Sequence, residues 1–246
     1  MIERLEAQMR AMQMLMKMQD VTANNLANIN TPGYKSSNVF FKMMQEKIDG
    51  KTVSRAEPQQ QVDMTQGVLK PTHNNFDFGI EGKGFFVVQN NNGINLTRDG
   101  RMHIDTNGYL VDGNGSKVMG NSGPIYMPQY LKAGDKDGVE TKIDVAKDGT
   151  IRINNKVYDQ FKIVDVKDVS KLQRKGSNYF SFDPNLLVED NTGNNVMQGY
   201  YESSNVSSLN EMVDMMKTTK MFESQQRVIR TTDEMMGRAA SQLAKF

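Results

Sequence analysis

The sequence predicts an α+β fold in which two terminal helices flank a mainly antiparallel β domain. Two observations lead to this prediction. Apolar residues recur with heptad spacing near both ends of the 246-residue chain. Between these ends, short apolar or alternating segments are separated by Asn-Gly and Asp-Gly dipeptides, which is typical of β-hairpins.

The first predicted element is a helix that ends before Thr31-Pro32-Gly33-Tyr34. Its apolar stripe has the 3–4 spacing of a coiled-coil seam, with Gln19 and Ala23 completing the pattern. The apolar seam residues are Ile2, Leu5, Met9, Met12, Met16 and Leu26. Pro at the second position and Gly at the third fit a type II turn, because that turn needs a positive φ at its third position.

The middle of the chain is predicted to contain a connector and then the β domain. Residues 37–75 are rich in Gln and Lys and are expected to be an extended connector, and residues 76–202 are expected to form the β domain. Several turn dipeptides are spaced seven or eight residues apart, which indicates successive hairpins. They are Asn92-Gly93, Asp99-Gly100, Asn107-Gly108, Asp112-Gly113 and Asp148-Gly149. Residues 37–202 are expected to fold without the terminal helices.

The last predicted element is a long helix with an unbroken seven-residue repeat. The repeat consists of Met215, Phe222, Ile229, Met236 and Leu243, and Met221, Val228 and Met235 widen it on one side. Residues 1–36 and 203–246 are therefore expected to form one discontinuous coiled-coil domain. A two-helix hairpin of this length buries its stripes poorly alone. We therefore expect oligomerisation through the termini, with the apolar seam residues of the first helix and the seven-residue repeat of the last helix as the assembly interface. A monomer whose helical hairpin packs on its own β domain is the alternative.

Composition excludes several classes of function. The net charge is +1, and no run of Lys and Arg exceeds two residues, so no nucleic-acid partner is expected. The chain has no cysteine, and no apolar run approaches the ~20 residues of a membrane span. The N-terminus carries charges at Glu3, Arg4 and Glu6 and has no apolar core. We therefore expect no secretory signal peptide and an intact Met1.

The sequence contains no pattern that predicts an enzyme. His73 and His103 lie 30 residues apart without a metal-binding motif, and Gly82-Lys83-Gly84 lacks the spacing of a phosphate loop. The Asp-rich turns lack the terminal Glu of a calcium loop. We expect no catalytic residues, no cofactor, no metal and no small-molecule substrate.

Three stretches resemble one known family. Residues 23–35 read ANNLANINTPGYK, residues 66–120 include QGVLKPT, IEGKGFFVV and GYLVDGNG, and a C-terminal stretch reads QGYYESSNVSSLNEM. Together they resemble the bacterial flagellar rod, hook and hook-associated proteins. The residues that match the family's terminal motifs are Asn24, Asn25, Leu26, Ala27, Asn28, Asn30, Thr31, Pro32, Gly33, Tyr34, Ser204, Asn205 and Val206.

The resemblance implies a structural protein of bacterial motility. The family builds a tubular helical assembly whose terminal helices line the tube and whose β domains decorate the outside. The implied partners are further copies of the chain, other axial rod and hook proteins, and the flagellar type III export apparatus, which needs no cleaved signal. The implied location is the basal-body rod, which crosses the periplasm and transmits torque. Asn24, Asn25 and Asn28 would either bond to local backbone or bond between subunits.

Chain length and one local departure favour the proximal rod within this family. Hook proteins are usually longer. Distal-rod proteins typically carry a phrase of the form F-x-N-P-x-G-L, where this chain reads FKIVDV and then LQRKG. A distal-rod or hook-type subunit is the alternative within the family. A soluble β-domain binding module is the alternative outside it.

Overall fold

The structure, a computed structural model, confirms an α+β protein with a helix at each end and a mainly antiparallel β part between them. It describes residues 2–48, 51–91, 93–127, 143–176, 178–182, 185, 187–188 and 193–243. Within these ranges it does not describe the side chains of residues 2–6, 43–48, 51–56, 239–240 and 242–243. The chain divides into two compact units. The helical unit comprises residues 1–29, 37–63 and 206–246, and the β unit comprises residues 30–36 and 64–205.

The helical unit contains the two terminal helices and a long hairpin. Helix α1 spans Ile2–Ala27 and helix α2 spans Ser208–Leu243. Strand β1, Ser37–Ile48, pairs antiparallel with β2, Lys51–Val62. Helix α1 packs against α2 and against β1. The segment treated above as an extended connector therefore carries two paired strands.

The β unit is built from antiparallel pairs. The order in its largest sheet is β15-β16-β6-β5-β9-β8-β7, with β10 on β9, β14 on β5 and β17 on β14. Three further groups are β11-β12-β13, β18-β4 and β19-β3. The strands are β3 Leu69–Pro71, β4 Phe78–Glu81, β5 Phe85–Asn90, β6 Gly93–Thr97, β7 Met102–Ile104, β8 Leu110–Asp112, β9 Lys117–Gly120, β10 Gly123–Pro124, β11 Ile143–Val145, β12 Thr150–Ile153, β13 Lys156–Gln160, β14 Ile163–Val166, β15 Gln173–Lys175, β16 Tyr179–Ser181, β17 Leu187–Val188, β18 Asn195–Gln198 and β19 Tyr200–Glu202. A short 3₁₀ helix spans Val169–Lys171.

The core of the β unit is aromatic and aliphatic. The ring of Phe161 lies 4.9 Å from that of Phe78 and 5.6 Å from that of Phe86, centroid to centroid. Tilted and edge-on ring pairs of this kind add to the free energy gained from area burial alone. Ile80, Val88 and other buried side chains surround these rings. Apolar residues from many short strands therefore contribute to one core.

The predicted turns mostly join paired strands. Asn107-Gly108 lies between β7 and β8, Asp112-Gly113 between β8 and β9, and Asp148-Gly149 between β11 and β12. Gly93 follows the turn between β5 and β6 and has a φ of +111°. Asn92 lies outside the described residues.

The prediction of a hairpin at Asp99-Gly100 is wrong. This dipeptide lies between β6 and β7, and β6 pairs with β5 and β16 while β7 pairs with β8. A Cβ atom at position 100 would lie 1.6 Å from the carbonyl oxygen of Phe78. Gly100 is therefore needed because two backbone segments approach each other closely. In the sequence, a glycine required for this reason looks the same as a glycine required by a turn.

Candidate functional site

The seven-residue repeat of α2 lies on a half-buried face of the helix. Met215, Phe222, Ile229 and Met236 are each partly buried. Thr218, also on this face, is buried, at 3% exposure. The side chain of Leu243 lies outside the described residues. This face is the natural candidate for the packing of α2 on α1.

A second apolar stripe on α2 is exposed. Met221, Val228 and Met235 are separated by seven residues and are 56%, 46% and 59% exposed. On α1, Met9 and Met16 are also seven residues apart and are 53% and 51% exposed. Such regular exposed apolar stripes are characteristic of helices that pack against further helices.

The other predicted seam residues of α1 are less exposed or are not described. Met12 and Leu26 are partly buried. The side chains of Ile2 and Leu5 lie outside the described residues. Among the described side chains of α1, the buried ones are Val21, Thr22 and Asn25, which the heptad pattern does not contain.

Asn25 connects three elements of the helical unit. Its Nδ2 donates to the carbonyl of Ser37 at 2.9 Å and to Oε1 of Glu211 at 3.0 Å. Its Oδ1 accepts from the Ser37 amide at 3.0 Å. Both Asn25 and Ser37 are 2% exposed. Asn25 therefore ties α1 to β1 and to α2 within one chain.

The neighbouring asparagines bond locally. Asn24 Nδ2 donates to the carbonyl of Asp20, and Asn28 Nδ2 donates to the carbonyl of Asn24, both at 2.9 Å. These are i to i−4 bonds along the helix. Ala27, which lies between them in the motif, is exposed. The three asparagines of the motif therefore have two different structural roles. Asn25 links separate elements, whereas Asn24 and Asn28 bond to the backbone of their own helical turn.

Residues 30–36 belong to the β unit, and they begin with the predicted turn. The Tyr34 amide donates to the Thr31 carbonyl at 3.3 Å, and Gly33 has a φ of +66°. These observations confirm the turn at Thr31-Pro32-Gly33-Tyr34. A Cβ atom at position 33 would lie 2.4 Å from the carbonyl carbon of Arg98. Only glycine fits this site, both for its φ and for the contact.

The motif turn is held on the β unit by backbone and side-chain bonds. The Gly33 amide donates to the Glu202 carbonyl at 2.7 Å. Asn178 Nδ2 donates to the Pro32 carbonyl at 2.7 Å. Pro32, Gly33 and Tyr34 are all buried, whereas Asn30 is exposed. The guanidinium of Arg174 lies 4.2 Å from the centre of the Tyr34 ring, a cation–π distance.

The second terminal motif meets the first one here. Asn205 Oδ1 accepts from the Ser36 amide at 2.7 Å, and its Nδ2 donates to the Thr65 carbonyl at 3.1 Å. Ser204 and Val206, on either side of Asn205, are partly buried. Asn205 therefore links the segment after the first motif to the segment before β3.

A buried ion cluster lies beside this turn. Lys35 Nζ lies 2.5 Å from Oε1 of Glu202, and Arg98 Nη1 lies 3.2 Å from Oε2 of the same carboxylate. The side chains of Lys35 and Glu202 are each 1% exposed, and that of Arg98 is 3% exposed. Glu202 also accepts from the Gly67 amide at 2.8 Å. We call Lys35, Arg98 and Glu202 the buried ion triad.

Further hydrogen bonds hold the triad, which carries one excess positive charge. Lys35 Nζ donates to the Thr65 carbonyl at 2.7 Å, and Arg98 Nη2 donates to the Gly82 carbonyl at 2.8 Å. Burial lowers the pKa of Arg98, while the charge of Glu202 raises it in part. Buried charges of this kind need partners. Removal of the segment with Lys35 or of the segment with Glu202 would therefore leave a buried charge without its partner in the triad.

Sequence reasoning did not find the triad. Lys35 directly follows the first motif and Glu202 shortly precedes Ser204 in the second, but these positions are 167 residues apart. The sequence feature that could have pointed to this ion pair is the presence of a charged residue next to each motif. Nothing in a local pattern says that two such charges are buried together.

The described part of the chain contains no cluster of side chains suited to holding a metal ion. His73 and His103 are both exposed. Among the described residues, no group of three His, Cys, Asp or Glu side chains could hold a metal ion. Neither described helix is long and apolar enough to cross a membrane. The features that stand out are therefore the exposed helical stripes and the motif turn with its ion triad.

Three family models match successive parts of this chain. The model "Flagella basal body rod protein" matches residues 5–35. "Flagellar hook protein FlgE/F/G D1 domain" matches residues 79–153, and "Flagellar basal body rod FlgEFG protein C-terminal" matches residues 197–243. The matches cover both terminal helices and much of the β unit.

Curated relatives are similar over nearly the whole length. The flagellar basal-body rod protein FlgF of Caulobacter vibrioides is 29% identical, with 92% of each chain covered. FlgG of Buchnera aphidicola subsp. Acyrthosiphon pisum is 30% identical, covering 88% of this chain and 90% of its own. FlgF of Escherichia coli is 29% identical, with 94% of each chain covered.

Proposed function

Because this chain belongs to the family of flagellar basal-body rod proteins, we propose that it is a structural subunit that assembles with axial proteins through its terminal helices. The observation that carries the mode of assembly is the exposed stripe of Met221, Val228 and Met235. A helix that presents methionine and valine every seventh residue gains free energy when a neighbouring helix covers them.

The two apolar faces of α2 have different roles in this proposal. The half-buried face with Phe222 and Ile229 supports packing within the subunit, and the exposed stripe supports packing between subunits as a coiled coil. The exposed Met9 and Met16 of α1 would contribute to the same contacts. In this proposal the terminal helices form the inner tube, and the β unit lies outside it.

The motif turn has a structural role in this proposal. Lys35 and Glu202 fix the two chain segments that lead to the terminal helices onto one β unit. Asn25 holds the end of α1 against the start of α2 by its bond to Glu211. The motif residues would thus set the geometry of a subunit, while the methionine stripes contact other subunits.

The wider proposals follow from the family. The subunit would transmit torque in the rod, enclose the export channel, reach the periplasm through type III export without a cleaved signal, and perform no catalysis. The curated relatives carry both the FlgF and the FlgG name. The missing F-x-N-P-x-G-L phrase supports a proximal-rod subunit over a distal one.

The experiment tests the exposed stripe in cells. Val228→Glu places a charge in the stripe, and Gln226→Glu introduces the same residue at an exposed polar position of the same helix. We expect Val228→Glu to abolish rods in isolated basal bodies and to abolish swimming, because the contact would bury an unpaired charge. Gln226→Glu should build rods and swim.

The purified variants provide the check on folding. Both should melt like the unmodified chain as dilute monomers, since Val228 is exposed there. Normal rods and swimming with Val228→Glu, at an unchanged cellular level of the protein, would refute assembly through this stripe.

A further inference from the structure

The β unit contains a cationic cleft that the proposed assembly contacts do not use. Its volume is about 480 Å3. Lys83 from the Gly82-Lys83-Gly84 loop contributes to its lining, together with Asp165 and Val166 at the end of β14 and Lys167 just beyond. The loop that lacks the spacing of a phosphate loop thus lies at the edge of a cleft. The volume lies within the range of ligand-binding clefts.

Among the described residues that line the cleft, cations outnumber carboxylates. The cations are Lys83, Arg98 and Lys167, and the carboxylate in this described set is that of Asp165. Arg98 shares the carboxylate of Glu202 with Lys35, so that carboxylate is divided between two cations. Arg98 Nε is buried and has no hydrogen-bond partner in the part of the chain that the structure describes. The described part of the lining therefore has a surplus of positive charge at a partly desolvated wall, where electrostatic attraction is stronger than in water.

Apolar residues form the rest of the wall. The Arg98 guanidinium lies 4.8 Å from the centre of the Phe85 ring. Val166 and Val188 also line the cleft. A ligand that fits this surface carries a negative charge beside an apolar group.

The loop does not have the form of a phosphate cradle. The Gly84 amide donates to Asn194 Oδ1 at 2.8 Å, and the Gly82 amide donates to Gln66 Oε1 at 3.3 Å. A phosphate nest needs such amides free to point at the anion. The available cations are instead two lysines on flexible side chains, which suit a carboxylate on a peptide segment.

We propose that this cleft binds an acidic side chain with apolar neighbours in a peptide segment of an adjoining protein subunit. Lys83 and Lys167 neutralise the carboxylate, and the valines with Phe85 cover the apolar part. The proposal deepens the function proposed above and rests on it only for the source of the segment. Binding is tested on the dilute full chain, so its result does not depend on assembly.

The probe is the tripeptide acetyl-Leu-Glu-Val-amide, added to the 15N-labelled full chain. The readout is the Nε–H resonance of Arg98, which reports directly from the wall of the cleft. We expect a saturable shift with the acidic peptide and none with acetyl-Leu-Gln-Val-amide. Lys83→Gln combined with Lys167→Gln should weaken binding about tenfold, because it removes the two exposed cations that pair with the carboxylate of the peptide.

The matched control is Lys147→Gln combined with Lys156→Gln, which removes two exposed lysines from the same unit outside the cleft. It should bind the acidic peptide like the unmodified chain. Equal loss in both double variants, equal binding of the glutamine peptide, or no shift at millimolar peptide would overturn the proposal. Inorganic phosphate that binds as tightly through Lys83 and Lys167 would show a free-oxyanion site and would also overturn it.

Discussion

At the scale of single residues, the buried ion triad is the feature with the largest expected effect on stability. Glu202→Gln keeps the shape of the side chain but removes the carboxylate that pairs with both buried cations, Lys35 and Arg98. Breaking a buried ion pair by removing one partner typically costs about 3–5 kcal/mol. We expect a loss of this size in the free energy of unfolding, measured by urea denaturation of the monomer.

The control for this prediction is an exposed pair in the same unit. Lys171 lies 4.0 Å from Asp168, and their side chains are 63% and 44% exposed. Lys171→Gln should cost less than about 1 kcal/mol. If the two variants were equally stable, the triad would not contribute as a desolvated charge cluster.

A second residue-scale prediction concerns Tyr179 and pH. Its hydroxyl donates to Oδ2 of Asp112 at 2.6 Å and lies 2.8 Å from Ser116 Oγ. Burial first, and then the bond to Asp112, raises the pKa of Tyr179 to about 12. Because the ordinary value is about 10, the stabilising effect of the neutral phenol is complete below about pH 10. It is lost as the pH rises from about 10 to about 12.

Comparison with Tyr179→Phe isolates this effect. The variant lacks the titrating group, so the difference in unfolding free energy between the two proteins should shrink across that window. Urea denaturation from about pH 8 to about pH 12 measures it. A difference that stays constant with pH would contradict the assigned hydrogen bond.

At the scale of elements, Asn25 joins α1, β1 and α2. Asn25→Ala removes the side-chain bonds to Ser37 and Glu211, including those to the buried amide and carbonyl of Ser37. Net losses of about 1 kcal/mol per bond, plus desolvated backbone groups, predict a cost of about 2–4 kcal/mol. Thermal or urea unfolding of the monomer checks this.

Asn24 supplies the matched control. It is exposed, and within the part of the chain that the structure describes its side chain bonds to the Asp20 carbonyl of the same helix. Asn24→Ala should be neutral or slightly stabilising, because alanine has the higher helix propensity. Equal destabilisation by both changes would mean that Asn25 acts only within its own helix.

The elements themselves were largely predictable, because local patterns determine them. A seven-residue repeat requires a helix, and Asn-Gly or Asp-Gly between apolar segments favours a hairpin. The failure at Asp99-Gly100 has a physical cause. Glycine is required both where φ is positive and where two backbones approach closely, and a sequence does not distinguish these two requirements.

At the scale of the whole molecule, the structure refines which fragment should fold alone. The β unit comprises residues 30–36 and 64–205. A fragment of residues 37–202 lacks Lys35, the Gly33 turn and Asn205. We expect the fragment 30–205 to be the more stable of the two, because it retains the complete triad.

Thermal unfolding of the two fragments tests this expectation, with limited proteolysis as a second measurement. The shorter fragment should melt at a lower temperature and be cleaved faster. Identical melting of the two fragments would contradict a stabilising role for the motif turn.

The sequence alone determined the two terminal helices, the hairpin-rich middle, the turn at Gly33 and the resemblance to flagellar rod proteins. Each of these depends on spacing or turn chemistry over a few residues. The tertiary structure decided that Lys35 and Glu202 are buried as partners, that Asn25 is a long-range link, and that Met221, Val228 and Met235 remain exposed. Burial and charge pairing depend on which distant segments come into contact. A heptad repeat shows which face of a helix is apolar, but it does not show which element packs against that face.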